Sequence, residues 1–131
     1  MDKFQKDDPL QSLDAIATPA QIARLQSECR QIRVSLPVKQ YIADIVAATR
    51  NSEYLRFGAS PRGALGLMRS AQAMSAMRER DFALPDDIKH LVGPVLTHRL
   101  VLKDEELLRG ETAEHLLEKI LDRVPVPDNA A

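Results

Sequence analysis

Three arginines fall within thirteen residues of the chain: Arg50, Arg56 and Arg62. An arginine offers one kind of chemistry unaided. Its planar guanidinium presents a fixed fork of donors that matches a carboxylate or a phosphate. Arg50 ends a helical pattern, where the helix dipole favours a cation, so its reading is structural. Arg56 reads as a solvated loop residue. Arg62 is different. It stands in GASPRG, residues 58–63, where Ser60 is a good N-cap and Pro61 a good first helical residue. Arg62 is then the second residue of a helix, where exposed N–H groups and the macrodipole already create positive potential. Two readings stay open. Either the long side chain turns away into solvent, or the helix start and the guanidinium receive an anion together.

Other chemistry is missing. No G-x-x-x-x-G-K-[ST] phosphate loop occurs, and Gly58, Gly63 and Gly66 lack its spacing. HExxH, CxxC and G-x-S-x-G are absent too. His90, His98 and His115 are scattered, with a Gly93-Pro94 break between the first two, so they read as structural or surface residues rather than a metal site. Cys29 reads as a buried small hydrophobe. Asp86 and Asp87 read as first-turn dipole partners rather than a catalytic acid pair. The chain holds no self-sufficient catalytic constellation and is expected not to be an enzyme by itself.

The elements that must position Arg62 are helices. Thr18-Pro19 opens the first, and Ile22, Leu25, Cys29 and Ile32 follow at helical spacing, which predicts a helix over 19–32. Residues 1–17 read as a lead-in, with Leu10, Leu13 and Ile16 available to pack. After RVSLP, capped by Ser35, the residues Val38, Tyr41, Ile42, Ile45 and Val46 give an apolar face up to Arg50. NSEYLRFGAS reads as a loop. The third helix is predicted over 61–80, with Leu65, Met68, Ala71, Met74 or Ser75, and Met77 as its apolar positions. Its many small residues, Gly63, Ala64, Gly66, Ser70, Ala71, Ala73 and Ala76, suggest close approach to a neighbour. Pro85 opens a short fourth helix, 85–92, stopped at Gly93-Pro94. KDEELLRGET reads as a polar turn broken at Gly110. Thr112 caps a last helix with the face Leu116, Leu117, Ile120 and Leu121. VPVPDNAA, 125–131 with Val124 before it, is an extended tail.

The fold class is therefore all-α: a small bundle of four to five helices over 18–124. The similar breaks RVSLP and DFALP allow one very short β-bridge between 33–35 and 82–84. Size and composition agree with a single domain of 131 residues, 44% hydrophobic and only 4% aromatic, so the core must be aliphatic. The formal net charge of −1 and the lack of a basic stripe argue against nucleic acid as a partner. One cysteine suits a reducing compartment, no apolar run is long enough to span a membrane, and MDKFQKDDPLQ lacks the apolar centre of a secretory signal. A cytoplasmic location is expected.

One ordered set of residues goes further. It comprises Tyr41, Thr49-Arg50, Gly58-Ala59-Ser60-Pro61-Arg62, Arg80-Asp81, Pro85-Asp86-Asp87 and Val95-Leu96-x-His98-Arg99-Leu100. Over roughly residues 7–124 it resembles the C-terminal lid domain of MoxR-family AAA+ ATPases. The resemblance implies an AAA+ lid fold. It implies that Arg62, with Pro61 beside it, is the sensor-2 position, reaching the γ-phosphate of ATP (with Mg2+) held by an upstream core. Walker A, Walker B and arginine-finger elements belong to that core and do not occur in these residues, so 1–17 are expected to join the lid to it. The resemblance further implies a hexameric, chaperone-like ring remodeller whose partners are its own core, the neighbouring subunits and von Willebrand factor A domain proteins. Arg99 is expected to be structural, paired with Asp86 or Asp87. Leu84 replaces the usual Thr or Ser cap, so its helix start is expected to be weak. Two rival readings are a stand-alone protein-interaction module, binding a partner helix on the small-residue face of 61–77, and a helix-turn-helix DNA-binding domain reading with 61–78.

Overall fold

Proline sets where the first four helices begin, while among their N-cap residues Thr18 adds a side-chain cap bond and Ser60 caps by backbone conformation. In the computed structural model, which describes residues 13–128, α1 (Pro19–Cys29), α2 (Leu36–Arg50), α3 (Pro61–Met77) and α4 (Pro85–Leu96) each carry a proline at their first or second position. There the missing N–H costs nothing, and the fixed φ suits the helix. Two short strands, β1 (Leu55–Phe57) and β2 (Val101–Leu102), flank α3 and α4 in sequence, followed by α5 (Asp104–Leu108) and α6 (Ala113–Leu121). A single 3-10 turn over Thr97–Arg99 links α4 to β2. The fold is an all-α bundle, as expected.

The core is aliphatic with one aromatic. Tyr41, Ile45, Leu67, Ile88, Leu96, Leu116 and Leu117 are its largest fully buried hydrophobic side chains. The predicted α2 face, Val38, Tyr41, Ile42, Ile45 and Val46, is buried throughout. So is most of the α6 face, whose start Thr112 caps by accepting from the His115 N–H at 3.2 Å. The bridge between the two similar breaks is present: Arg33 pairs in parallel with Phe82, Arg33 N–H donating to Asp81 and Ala83 N–H to Arg33.

Elsewhere the structure corrects the reading. α1 ends at Cys29, not 32, because the chain leaves the helix to make that bridge. Its start is a full capping box between Thr18 and Gln21, yet none of its residues is buried, and Ile22 and Leu25 face solvent. Cys29 is only half-buried. Leu13 and Ile16 are exposed, while Leu10 lies outside the described residues.

α3 stops at Met77 rather than 80. Glu79 takes a left-handed φ of 56°, Glu79 N–H donates to Ala76 O, and Arg80 N–H donates to Ser75 O. That pair of bonds is a Schellman ending. Its buried face is Gly63, Leu67, Ala71, Gln72 and Ser75; Leu65 and Met77, expected inside, are 49% and 86% exposed. The small residues do serve close approach. A Cβ on Gly63 would lie 2.9 Å from Leu96 Cδ2, and one on Gly66 would lie 3.2 Å from Val95 Cγ1. The neighbour is α4 of the same chain, which is antiparallel, since Ser75 at the far end of α3 meets Asp87.

α4 runs through Gly93-Pro94 to Leu96. A proline in the last turn removes one helical bond but leaves few downstream turns to disrupt. The expected loop over 51–60 contains β1, paired antiparallel with β2 in the register Leu55 to Leu102 and Phe57 to Val101. The polar turn contains α5, whose Glu106 is buried and ion-paired with Arg109 at 2.8 Å. Its exit is Gly110, at φ 78°, a conformation only glycine adopts without cost.

Candidate anion site at the start of α3

Thr49 and Arg50, the last residues of α2, hold the segment that leads into α3. Thr49 is fully buried. Its hydroxyl donates to Val46 O at 2.7 Å and accepts from the Ala59 N–H at 2.9 Å. Arg50 Nε donates to Ala59 O at 2.7 Å. Both polar groups of Ala59 are therefore satisfied by the end of α2, which is the condition for burying an irregular segment. Gly58 makes this possible. A Cβ there would sit 2.5 Å from the carbonyl carbon and oxygen of Thr49, so only glycine lets the two backbones touch. One residue later Ser60 takes an extended conformation at the N-cap position and α3 begins.

Pro61 and Arg62 are both exposed, at the first two positions of α3. Among the described residues, no hydrogen bond, ion pair or ring contact engages the Arg62 guanidinium. The first turn of α3 contains no acidic residue either. Of the two partner arginines, Arg50 is bound to the Ala59 carbonyl, in keeping with a structural role, and Arg56 lies 5.8 Å from the Phe57 ring on β1.

The far end of the α3–α4 pair is fixed by a buried charge. Asp87 is completely buried. It accepts from one terminal nitrogen of each of two arginines: Arg80 Nη2 bridges both carboxylate oxygens at 2.7 and 2.8 Å, and Arg78 Nη1 donates at 2.8 Å. Ser75 Oγ and the Leu84 N–H donate to it as well, at 3.3 and 2.9 Å. Burial by itself would raise the Asp87 pKa. The Arg80 hydrogen bonds, the Leu84 N–H, the Arg80 charge and Ser75 outweigh it and hold the carboxyl below its ordinary value. Asp87 is thus more than a dipole partner. It also makes one half of a capping box at the α4 start: its carboxylate accepts the Leu84 N–H, while Leu84 has no side-chain oxygen to accept a helix N–H in return. The expected pairing of Arg99 with Asp86 or Asp87 does not occur: Arg99 sits at the opposite end of α4, with its Nε on Val95 O at 3.1 Å.

The remaining candidates stay apart. His90 and His98 are exposed, and His115, on α6, lies 2.7 Å from Glu111, which precedes that helix. Among the described residues no group of three or more His, Cys, Asp or Glu side chains could hold a metal ion, and no helix is long and apolar enough to cross a membrane. Sequence reasoning missed Asp87 as a buried anchor. The signal was present, since Arg78 and Arg80 precede it within ten residues across a helix break.

Comparison with known proteins places this geometry. Residues 47–120, from the end of α2 to α6, match the AAA lid domain family. The YeaC protein of Bacillus subtilis is 35% identical over 123 residues, which cover 94% of this chain and 38% of that protein. The Mycobacterium tuberculosis protein named Chaperone MoxR1 is 31% identical over 121 residues, covering 86% of this chain and 32% of its own length. A crystal structure of a Cytophaga hutchinsonii protein assigned as an ATPase superposes with a TM-score of 0.74 at 32% identity, over 78% of this chain and 34% of that one. The chain thus spans about a third of each of these relatives.

Proposed function

The chain belongs to the AAA lid domain family, and from that membership we propose that it is the lid of a MoxR-type AAA+ ATPase in which Arg62 acts as sensor 2. In this reading residues 1–17 lead in from a nucleotide-binding core, 18–124 form the lid and 125–131 a tail. ATP and Mg2+ are gripped by the core. Arg62 reaches across the hinge to the terminal phosphate, and Pro61 fixes the start of the helix that carries it. Charge on the transferred phosphoryl oxygens must be met by positioned cations, and a guanidinium does so with direction as well as charge. Loss of that phosphate releases the tie and frees the lid angle. In a ring, proposed here as a cytoplasmic hexamer, that angle sets the next subunit, so nucleotide state drives a chaperone-like remodeller working with von Willebrand factor A domain proteins. By itself the chain does not hydrolyse ATP.

The single observation behind this reading is Arg62: exposed, without a counter-charge among the described residues, on a helix start clamped by Thr49, Arg50 and Gly58. The rival interaction-module reading relied on a free small-residue face, and two of its residues, Gly63 and Gly66, are already occupied by Leu96 and Val95 of α4. The test is ATP turnover by the full-length protein. Arg62→Ala is expected to lower kcat on the order of a hundredfold, with the lid still folded by circular dichroism. Turnover equal to wild type overturns the proposal.

A further inference from the structure

Two registers bring the segment that carries Arg99 to the level of the α3 start, where Arg62 stands. Along the helix pair, Val95 and Leu96 lie against Gly66 and Gly63, so the antiparallel course of α4 carries the 3-10 turn Thr97–Arg99 to the level of the first residues of α3. Along the strands, Phe57 pairs with Val101. The pair is bulged between Leu55 and Phe57, and beyond it the chain before Val101 and the chain after Phe57 leave the same end of the two-stranded ribbon. Both routes end at the same place. Arg50 joins them there, its Nε 2.7 Å from Ala59 O.

Arg50 and Arg99 share one arrangement. Each uses its Nε on a backbone carbonyl, Ala59 O and Val95 O. Among the described residues neither has an acidic partner. Their terminal nitrogens make no hydrogen bond there, and the same is true of the whole Arg62 guanidinium. Five arginines, Arg24, Arg78, Arg80, Arg109 and Arg123, are ion-paired with carboxylates; of those that are not, Arg50 and Arg99 are the ones whose Nε is held by a backbone carbonyl. Three cations, none of them ion-paired, carry uncompensated charge that an arriving polyanion would relieve; an acidic side chain near the Thr97–Arg99 turn, Glu114, shares a cavity with Thr97 and His98. Tethering Nε on the backbone also reduces the side-chain freedom lost when the outer nitrogens bind.

We propose that Arg99 is a second phosphate-contacting residue, acting with Arg62 on the triphosphate of the nucleotide, and that Arg50 borders the same site. This rests on the reading of Arg62 as nucleotide-facing, but it concerns a property of this chain's own surface. Arg62 meets the phosphate chain from the helix start, and Arg99 from the end of the adjacent helix. The lid then grips the triphosphate at two points and reports its angle as well as its presence.

The test is titration of the 131-residue chain with inorganic tripolyphosphate, read by NMR at the arginine Nε–H signals. The signals of Arg62 and Arg99 are expected to shift together along one binding curve. Arg99→Gln is expected to weaken that curve roughly threefold, the scale of one exposed ion pair, while Arg99→Lys, which loses the Val95 bond but keeps the charge, retains most of the affinity. An Arg99 signal that stays still while Arg62 moves overturns the inference and leaves the sensor-2 reading to the turnover measurement. Arg99→Gln titrating like wild type overturns it as well, and so does a chain in which neither signal moves. If Arg99→Gln fails to fold, the Arg99 signal of the wild-type chain and the Arg99→Lys titration still decide the matter.

Discussion

At the scale of single residues, two polar anchors hold the two ends of the α3–α4 pair, Thr49 near Arg62 and Asp87 far from it. Thr49 holds the buried N–H of Ala59, so Thr49→Val leaves a buried donor without an acceptor. The expected loss is about 2 kcal/mol, measurable by urea unfolding of the 131-residue chain. Asp87 acts at the other end of the helix pair. Its carboxyl titrates below its ordinary value in the folded chain, so the unfolded state binds the proton more readily. The stabilisation it gives is therefore complete above the unfolded carboxylate range, near pH 4, and is lost as pH falls through the lower folded value. Asp87→Ala is expected to cost about 3 kcal/mol at neutral pH and to flatten the acid limb of a stability-against-pH curve. Part of this was legible in the sequence. The oddity of Arg62 was visible because cap, proline and arginine are adjacent. The role of Asp87 was masked: an aspartate in a first helical turn has a sufficient local explanation, so the nearby Arg78 and Arg80, across a chain reversal that no periodicity reports, were not joined to it.

Elements were legible where one periodic face meets the core. α2 and α6 show this, each with large aliphatic residues at helical spacing. α3 misled because its contact face is built from Gly63, Leu67, Ala71 and Ser75, four apart and mostly small, while larger Leu65 and Met77 point outward. Close approach to α4 selects against size at the contact, which inverts the usual signal. β1 and β2 have three and two residues, too few for an alternation to register. The helix ends offer two checks. Gly58→Ala forces a methyl into the backbone of Thr49 and Arg50 and is expected to destabilise the chain by about 2 kcal/mol, and also to shift the Arg62 helix. Glu79→Gly should do the reverse. Glu79 holds a left-handed φ of 56°, and relief of that strain is expected to add about 0.5–1 kcal/mol in the same unfolding measurement.

For the molecule as a whole, the helices are unequal in how they are held. α2, α3, α4 and α6 share the core, whereas α1 buries no residue and is tied near its end by Gln72, which donates to Arg30 O and Ile32 O at 3.3 and 2.8 Å. Amides in 22–29 are expected to exchange with deuterium on the order of a hundredfold faster than those in 42–49; equal protection would show that α1 belongs to the cooperative unit. A shared α2–α3–α4 core with a leading helix outside it is compatible with the proposed lid moving as one body. The measurement that tests the central claim most directly is a structure of the full-length protein with a non-hydrolysable ATP analogue bound. The account predicts an Arg62 guanidinium nitrogen about 3 Å from a terminal phosphate oxygen. Arg62 pointing into solvent, with that phosphate met by other cations, would contradict it.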